Sequence, residues 1–148
     1  MSGYWGMGIY HPKTKENVGT LWRTAHNLGA SYIFTIGHRY RHQASDTTKA
    51  WRTLPLYSYQ SFDDFHSTLP HECRLVAVEF PHKRARAVNN YVHPDQAVYL
   101  LGAEDYGLPD KILDRVHSII HIPSKMCLNV AVAGSIIAYD RMVKRGAL

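Results

Sequence analysis

The sequence predicts an α/β fold with helices flanking a mainly parallel sheet. Short apolar, β-branched and aromatic runs recur along the chain. The first two are separated by a segment of helical period, and the chain closes on a long helical stretch. Strand, helix and strand within about 35 residues make a βαβ unit, and a crossover of that kind joins parallel strands. At 148 residues the chain is expected to form a single domain, 1–148, large enough for one packed core.

Tyr4–Tyr10 is short, apolar and stopped by His11-Pro12, as a buried strand would be. Val18, Leu21, Trp22, Ala25 and Leu28 then fall on one helical face, with Asn17 at the expected N-cap and Gly29 at the expected C′ position. Tyr32–Ile36 is β-branched and aromatic, a second strand. Residues 37–51 are polar and basic, a loop with a short helical turn. Ser61 caps a short amphipathic helix whose Phe62, Phe65 and Leu69 face inward. Strands follow at 74–80 and 97–101. Pro109 suits the first turn of a helix over 109–115, and 118–122 is a strand stopped by Pro123. Residues 128–144 contain no Pro and only Gly134, and are apolar on most sides, which predicts a long, largely buried final helix.

A net charge of +5 and a pI near 9.3 favour polyanionic partners, because Lys and Arg that neutralise phosphates release condensed counterions. No apolar run is long enough to cross a bilayer. Residues 1–6 lack the pattern of a signal peptide, and Cys73 and Cys127 form no CxxC pair, so cytoplasmic residence with reduced thiols is expected. The histidines form no HExxH or similar cluster, so no metal is expected.

Three segments at strand ends carry residues that plain connectors do not need. In open α/β sheets ligands bind beyond the carboxyl ends of the strands. The first is Asn17-Val18-Gly19-Thr20-Leu21-Trp22-Arg23, where a glycine sits in a first helical turn. In the second, Leu101 runs into Gly102-Ala103-Glu104-Asp105-Tyr106-Gly107-Leu108-Pro109. There Gly102 would let a ligand approach the backbone and Glu104 could accept hydrogen bonds. The third is Ile122-Pro123-Ser124-Lys125-Met126-Cys127-Leu128-Asn129-Val130, with a polar Asn129 at the mouth of an apolar helix. Taken singly, each has a plain structural reading: a capped helix with a solvated arginine, a Gly- and Pro-rich turn, and a helix cap.

In order and spacing, Asn17-x-Gly19-x-x-x-Arg23 with Leu28-Gly29, Gly102-x-Glu104-x-x-Gly107-Leu108, and Ile122-Pro123 with Leu128-Asn129-Val130-Ala131 resemble the three motifs of the SPOUT methyltransferase superfamily, in its TrmH (SpoU) branch. The resemblance implies a SPOUT fold with a C-terminal trefoil knot, S-adenosylmethionine as cofactor and a homodimer. It implies methylation of an RNA ribose 2′-hydroxyl, with tRNA preferred over rRNA because the length suits a catalytic domain alone. Carried over, Val78, Gly102, Ile122, Cys127 and Leu128 are cofactor-binding. Arg23 is catalytic, close to Asn17, Glu104 and Asn129. Cys127 stands where the family commonly has serine, and a thiol is a weaker hydrogen-bond partner than a hydroxyl.

A ribose hydroxyl is a very weak acid, so its attack on a sulfonium methyl needs a base or a nearby positive charge. A guanidinium at Arg23 would hold phosphate and stabilise the developing oxyanion, with Asn17, Glu104 and Asn129 orienting it and the sugar. RNA contacts are expected from Arg39, Arg41, Lys49 and Arg52, around a stackable Tyr40, on a patch that a dimer would set beside the partner's cofactor site. His82-Lys83-Arg84-Ala85-Arg86 is a second basic run, equally readable as a solvated loop. The alternatives are a base-methylating SPOUT enzyme, which the Asn17/Arg23 motif disfavours, and an inert RNA-binding module. A Rossmann-type nucleotide binder would need a GxGxxG that the first strand lacks.

Overall fold

The computed structural model describes residues 3–37, 53–80 and 82–148. In chain order these form β1 (Tyr4–Tyr10), α1 (Lys15–Asn27), β2 (Tyr32–Ile36), β3 (Leu56–Tyr59), α2 (Phe62–His66), β4 (Arg74–Val78), β5 (Arg86–Ala87), β6 (Gln96–Leu101), α3 (Asp110–Leu113), β7 (Ser118–His121) and α4 (Val130–Lys144). The strands make one sheet in the order β3-β2-β1-β6-β4-β7-β5, and every strand pairing in it is parallel. β3 and β5, the two edge strands, have no counterpart in the sequence reading. β3 is short and mostly exposed, and β5 is two residues long, so neither carries a core periodicity.

Covered on both faces, the central strands are buried along nearly their whole length, as parallel strands between helices must be. On one face α1 and α4 pack Val18, Leu21, Trp22, Ile137 and Met142 against Trp5, Met7, Ile33, Tyr99 and Leu101. On the other, Phe62, Phe65, Ile112 and Leu113 from α2 and α3 meet Phe34, Ile36, Leu75, Val98 and Leu100. Fully burying an aliphatic or aromatic side chain of this size stabilises by about 1.5–3 kcal/mol, so these two layers dominate folding.

Local signals differ from expectation at helix ends. Thr14, not Asn17, caps α1, its Oγ1 accepting from the Asn17 N–H at 3.4 Å. The helix therefore starts three residues early and frees the Asn17 side chain for other work. Pro109 is the N-cap of α3 rather than its first helical residue. Asn129 does cap α4, accepting from Ala131 and Val132 N–H at 2.9 and 3.1 Å.

α4 is not buried all round. Val132, Ile136, Tyr139 and Val143, spaced four, three and four residues apart, form an exposed apolar stripe along it. Its inner side carries a charge the periodicity could not reveal: Arg141 is fully buried, donating to the Pro94 carbonyl (2.7 Å), the Asp95 carbonyl (2.9 Å) and the Tyr99 hydroxyl (3.1 Å). These bonds tie the final helix to the chain entering β6. The strand order is consistent with the implied C-terminal knot. After β6 at the sheet's centre the chain runs out to β7, then returns through 122–129 to α4, which packs on α1.

Candidate active site

The carboxyl ends of β4, β6 and β7 point the same way because the strands are parallel, so the segments that follow them share one rim. Between these segments lies a cavity of about 510 Å³, within the range of small-molecule sites. Val78, Gly102, Ile122, Cys127 and Leu128, drawn from three separated stretches, all line it, and so do Glu104 and Asn129.

Side-chain amides knit the three motif loops together. Asn129 Nδ2 donates to Asn17 Oδ1 at 3.0 Å, and Asn17 Nδ2 donates in turn to Glu104 Oε1. A single chain of hydrogen bonds thus runs from the cap of α4, through the first turn of α1, to the loop after β6. Each amide uses its donor and its acceptor at once, which fixes its orientation.

Glu79, one residue beyond β4, was not anticipated from sequence. Its carboxylate accepts from the Phe80 N–H at 2.9 Å and from the Leu108 N–H, pinning the 102–108 loop to the neighbouring strand end. That loop closes on itself through Ala103 and Gly107, which exchange backbone hydrogen bonds of 3.1 and 2.9 Å. Gly102 is glycine for a reason internal to this loop. A Cβ there would lie 2.8 Å from the Gly107 backbone, so the missing side chain admits the loop and not, as expected, only a ligand. Gly107, at φ +67, has the Glu79 carboxylate where a Cβ would be. A carboxylate at the end of a central parallel strand is the signal that would have found Glu79.

The cavity's character fits the cofactor that the resemblance implies. Val78, Leu101, Ile122, Leu128 and Val130 supply apolar wall, while Glu79 and Glu104 supply the negative charge that a sulfonium and an amine would meet. His121, also in the lining, has a buried Nδ1 with no hydrogen-bond partner, a group a polar ligand would satisfy. The Cys127 thiol lies 3.9 Å from the Phe80 carbonyl oxygen, at most a weak contact.

Arg23 is exposed on α1 and is not among the residues lining the cavity. Six positions after Asn17, it lies roughly 120° around the helix and about 9 Å along it. The same turn places it beside Thr20, which borders a shallow groove of about 500 Å³ lined by the exposed stripe of α4. Arg39, Arg41, Lys49 and Arg52 lie outside the described residues. In the second basic run Arg84 donates to the Leu113 carbonyl at 3.0 Å, securing α3, while Lys83 and Arg86 are exposed.

Residues 7–139 match the SpoU rRNA Methylase family. Several solved structures share the fold. An AdoMet-bound rRNA methyltransferase from Sinorhizobium meliloti superimposes with a TM-score of 0.86 at 22% identity, over 100% of this chain and 58% of that one. A structure described as giving insight into the 2-OH methylation of C/U34 on tRNA matches at TM-score 0.82 and 25% identity, covering 100% of both chains. The A. aeolicus TrmH/SpoU tRNA modifying enzyme matches at 0.84 and 19%, over 96% of this chain and 75% of its own. The chain thus spans little more than half of the Sinorhizobium protein and the whole of the second. A search of curated proteins finds no significant match. The chain belongs to the SpoU methylase family, whose cofactor is S-adenosylmethionine, and its fold is that of the SPOUT methyltransferases.

Proposed function

We propose that this SpoU-family chain methylates a ribose 2′-hydroxyl of RNA, with tRNA as substrate, and that it works in the cytoplasm as a homodimer. The observation that carries this is the hydrogen-bonded chain in which Asn17 joins Glu104 and Asn129, two residues that line one cavity. The full-length likeness to a structure concerned with 2-OH methylation on tRNA supports the choice of acceptor.

The bound cofactor supplies a methyl group on a sulfonium, whose departing thioether needs no proton. The remaining work falls to the chain. Glu79 holds the 102–108 loop in shape for binding, and the carboxylate of Glu104 complements a cationic ligand. The Asn129–Asn17–Glu104 chain gives the sugar a rigid polar edge against which to align, and alignment is a large part of the rate enhancement for a displacement. Arg23 holds the adjoining phosphate and stabilises charge as the 2′-oxygen gives up its proton.

For Arg23 this role requires a second copy, since it stands outside its own chain's cavity. Val132, Ile136, Tyr139 and Val143 leave an apolar face in water beside it. A self-complementary packing of α4 and α1 would bury that face and carry Arg23 across to the partner's site.

The deciding experiment compares nucleosides of tRNA and rRNA, by mass spectrometry, from cells with and without the protein. The purified protein then acts on the undermodified RNA with S-adenosylmethionine. A ribose-methylated nucleoside restored in tRNA is expected. A methyl found on a base, or in rRNA alone, would replace this reading.

A further inference from the structure

At the end of β1 the backbone takes a shape that side-chain-bearing residues avoid. His11 has φ +48, the one non-glycine residue with positive φ among the described residues. Such a conformation is costly and survives only where surroundings impose it, which is commonest at functional sites. Here they do. The His11 N–H donates to the Ile36 carbonyl at 2.8 Å, and its ring stacks on Tyr10 with centroids 4.0 Å apart and planes 16° off parallel. Gly37, itself at φ +81, leaves the space: a Cβ there would sit 2.4 Å from the imidazole.

The imidazole so held meets Tyr106. Its Nδ1 lies 2.9 Å from the Tyr106 hydroxyl, and the two rings stand edge to face, 6.4 Å apart and 87° between planes. Beside them Lys13 pairs with Asp105 at 3.3 Å, a second link from the β1 end to the same loop. Tyr106 lines the cavity, yet the residue is 62% exposed. Two tethers therefore fix an aromatic ring at the rim with most of its surface toward solvent. A ring buried within the cavity would belong to the cofactor. A ring held outward at its mouth is placed for whatever approaches from outside.

We infer that Tyr106 is a stacking platform for an unpaired base of the RNA, that of the nucleotide presented to the cavity, and that His11 is the positioning residue that orients it. The inference rests on the proposed RNA methyl transfer and adds what the acceptor must be: a nucleotide whose base is free to leave a helix. An exposed aromatic ring stacks on any base face, whereas base-paired nucleotides keep their faces covered.

The test uses the intact protein, tritiated S-adenosylmethionine and total RNA from cells lacking the protein, with cofactor affinity measured separately by calorimetry. Tyr106→Phe keeps the ring and its edge-to-face contact but loses the hydroxyl bond to His11, so it should raise KM for RNA only slightly, no more than His11→Asn does and far less than Tyr106→Leu. Tyr106→Leu should raise that KM about 5- to 100-fold, the range of losing one stacked base, and by far more than it changes cofactor Kd. His11→Asn tolerates the left-handed backbone but lacks the ring contact, and should give a smaller rise in KM with kcat retained. The platform is overturned if Tyr106→Leu leaves KM alone, if it weakens cofactor and RNA equally, or if Tyr106→Phe is as impaired as Tyr106→Leu. Failure of the underlying reading looks different: the unmodified protein itself transfers no methyl to RNA, which removes both.

Discussion

Asn129 donates a hydrogen bond of 3.0 Å to Asn17 across 112 positions of sequence, and the same Asn129 side chain caps α4 through its oxygen. The two duties use opposite ends of one amide and can be separated by substitution. Asn129→Asp keeps the capping oxygen but sets a carboxylate against Asn17 Oδ1. Thermal stability should change little while methyl transfer falls at least tenfold. Asn129→Ala should lose both, with the missing cap costing about 1 kcal/mol. Scanning calorimetry and transfer assays on the two variants check this; equal loss of stability in both would merge the duties.

Glu79 is the anchor of the 102–108 loop. Glu79→Ala leaves the Phe80 and Leu108 N–H groups without their acceptor. We expect cofactor affinity to drop tenfold or more, with melting lowered by a smaller amount than a core deletion would give. Gly102→Val should weaken binding as well, because its side chain would strike the Gly107 backbone and displace the loop. Titration calorimetry with S-adenosylmethionine reads both, and unchanged affinity in either variant rejects the loop's role.

Arg23→Ala should abolish transfer while cofactor affinity stays near normal, since Arg23 lies outside the cavity. Mixing inactive Arg23→Ala with the impaired Asn129→Asp variant is the sharper measurement. If Arg23 serves the partner's site, mixed dimers regain up to one working centre in each. No regain would confine Arg23 to its own chain.

Ile136→Lys places a charge in the middle of the apolar stripe on α4. Sedimentation should show a monomer with unaltered circular dichroism and transfer reduced more than tenfold. A dimer that survives the lysine would move the interface elsewhere.

His93 is buried between Tyr99 (2.6 Å) and Asp140 (2.7 Å), near Tyr91, Arg141 and Lys144. Burial holds its imidazole below the usual range, against the upward pull of Asp140. A depressed folded-state value means the unfolded chain binds the extra proton more readily. Stability from His93 is thus present above the unfolded pKa, about 6.5, and is lost as pH falls through the folded value. Melting temperature should decline from pH 7.5 to pH 5, and His93→Gln should flatten that slope. An unchanged slope would assign the pH dependence to other groups, His117 among them.

The helices and the central strands were legible from local chemistry, because burial on both faces of a parallel sheet forces apolar runs such as Tyr32–Ile36 and Gln96–Leu101, whereas the short, exposed edge strands β3 and β5 were not. The three motifs were legible too, since their residue types and spacing survive in linear form. What the linear pattern could not contain was who meets whom. The Asn129–Asn17–Glu104 chain, Glu79 reaching Leu108, and His11 reaching Tyr106 all join positions at least 29 apart, and hydrogen bonds of that span leave no periodic trace. The same holds for α4: composition marked it as apolar, but only packing decided that Arg141 turns inward to backbone carbonyls while Ile136 and Tyr139 face out. Local propensity depends on neighbours in sequence, whereas a site depends on neighbours in space, and folding alone brings the second kind together.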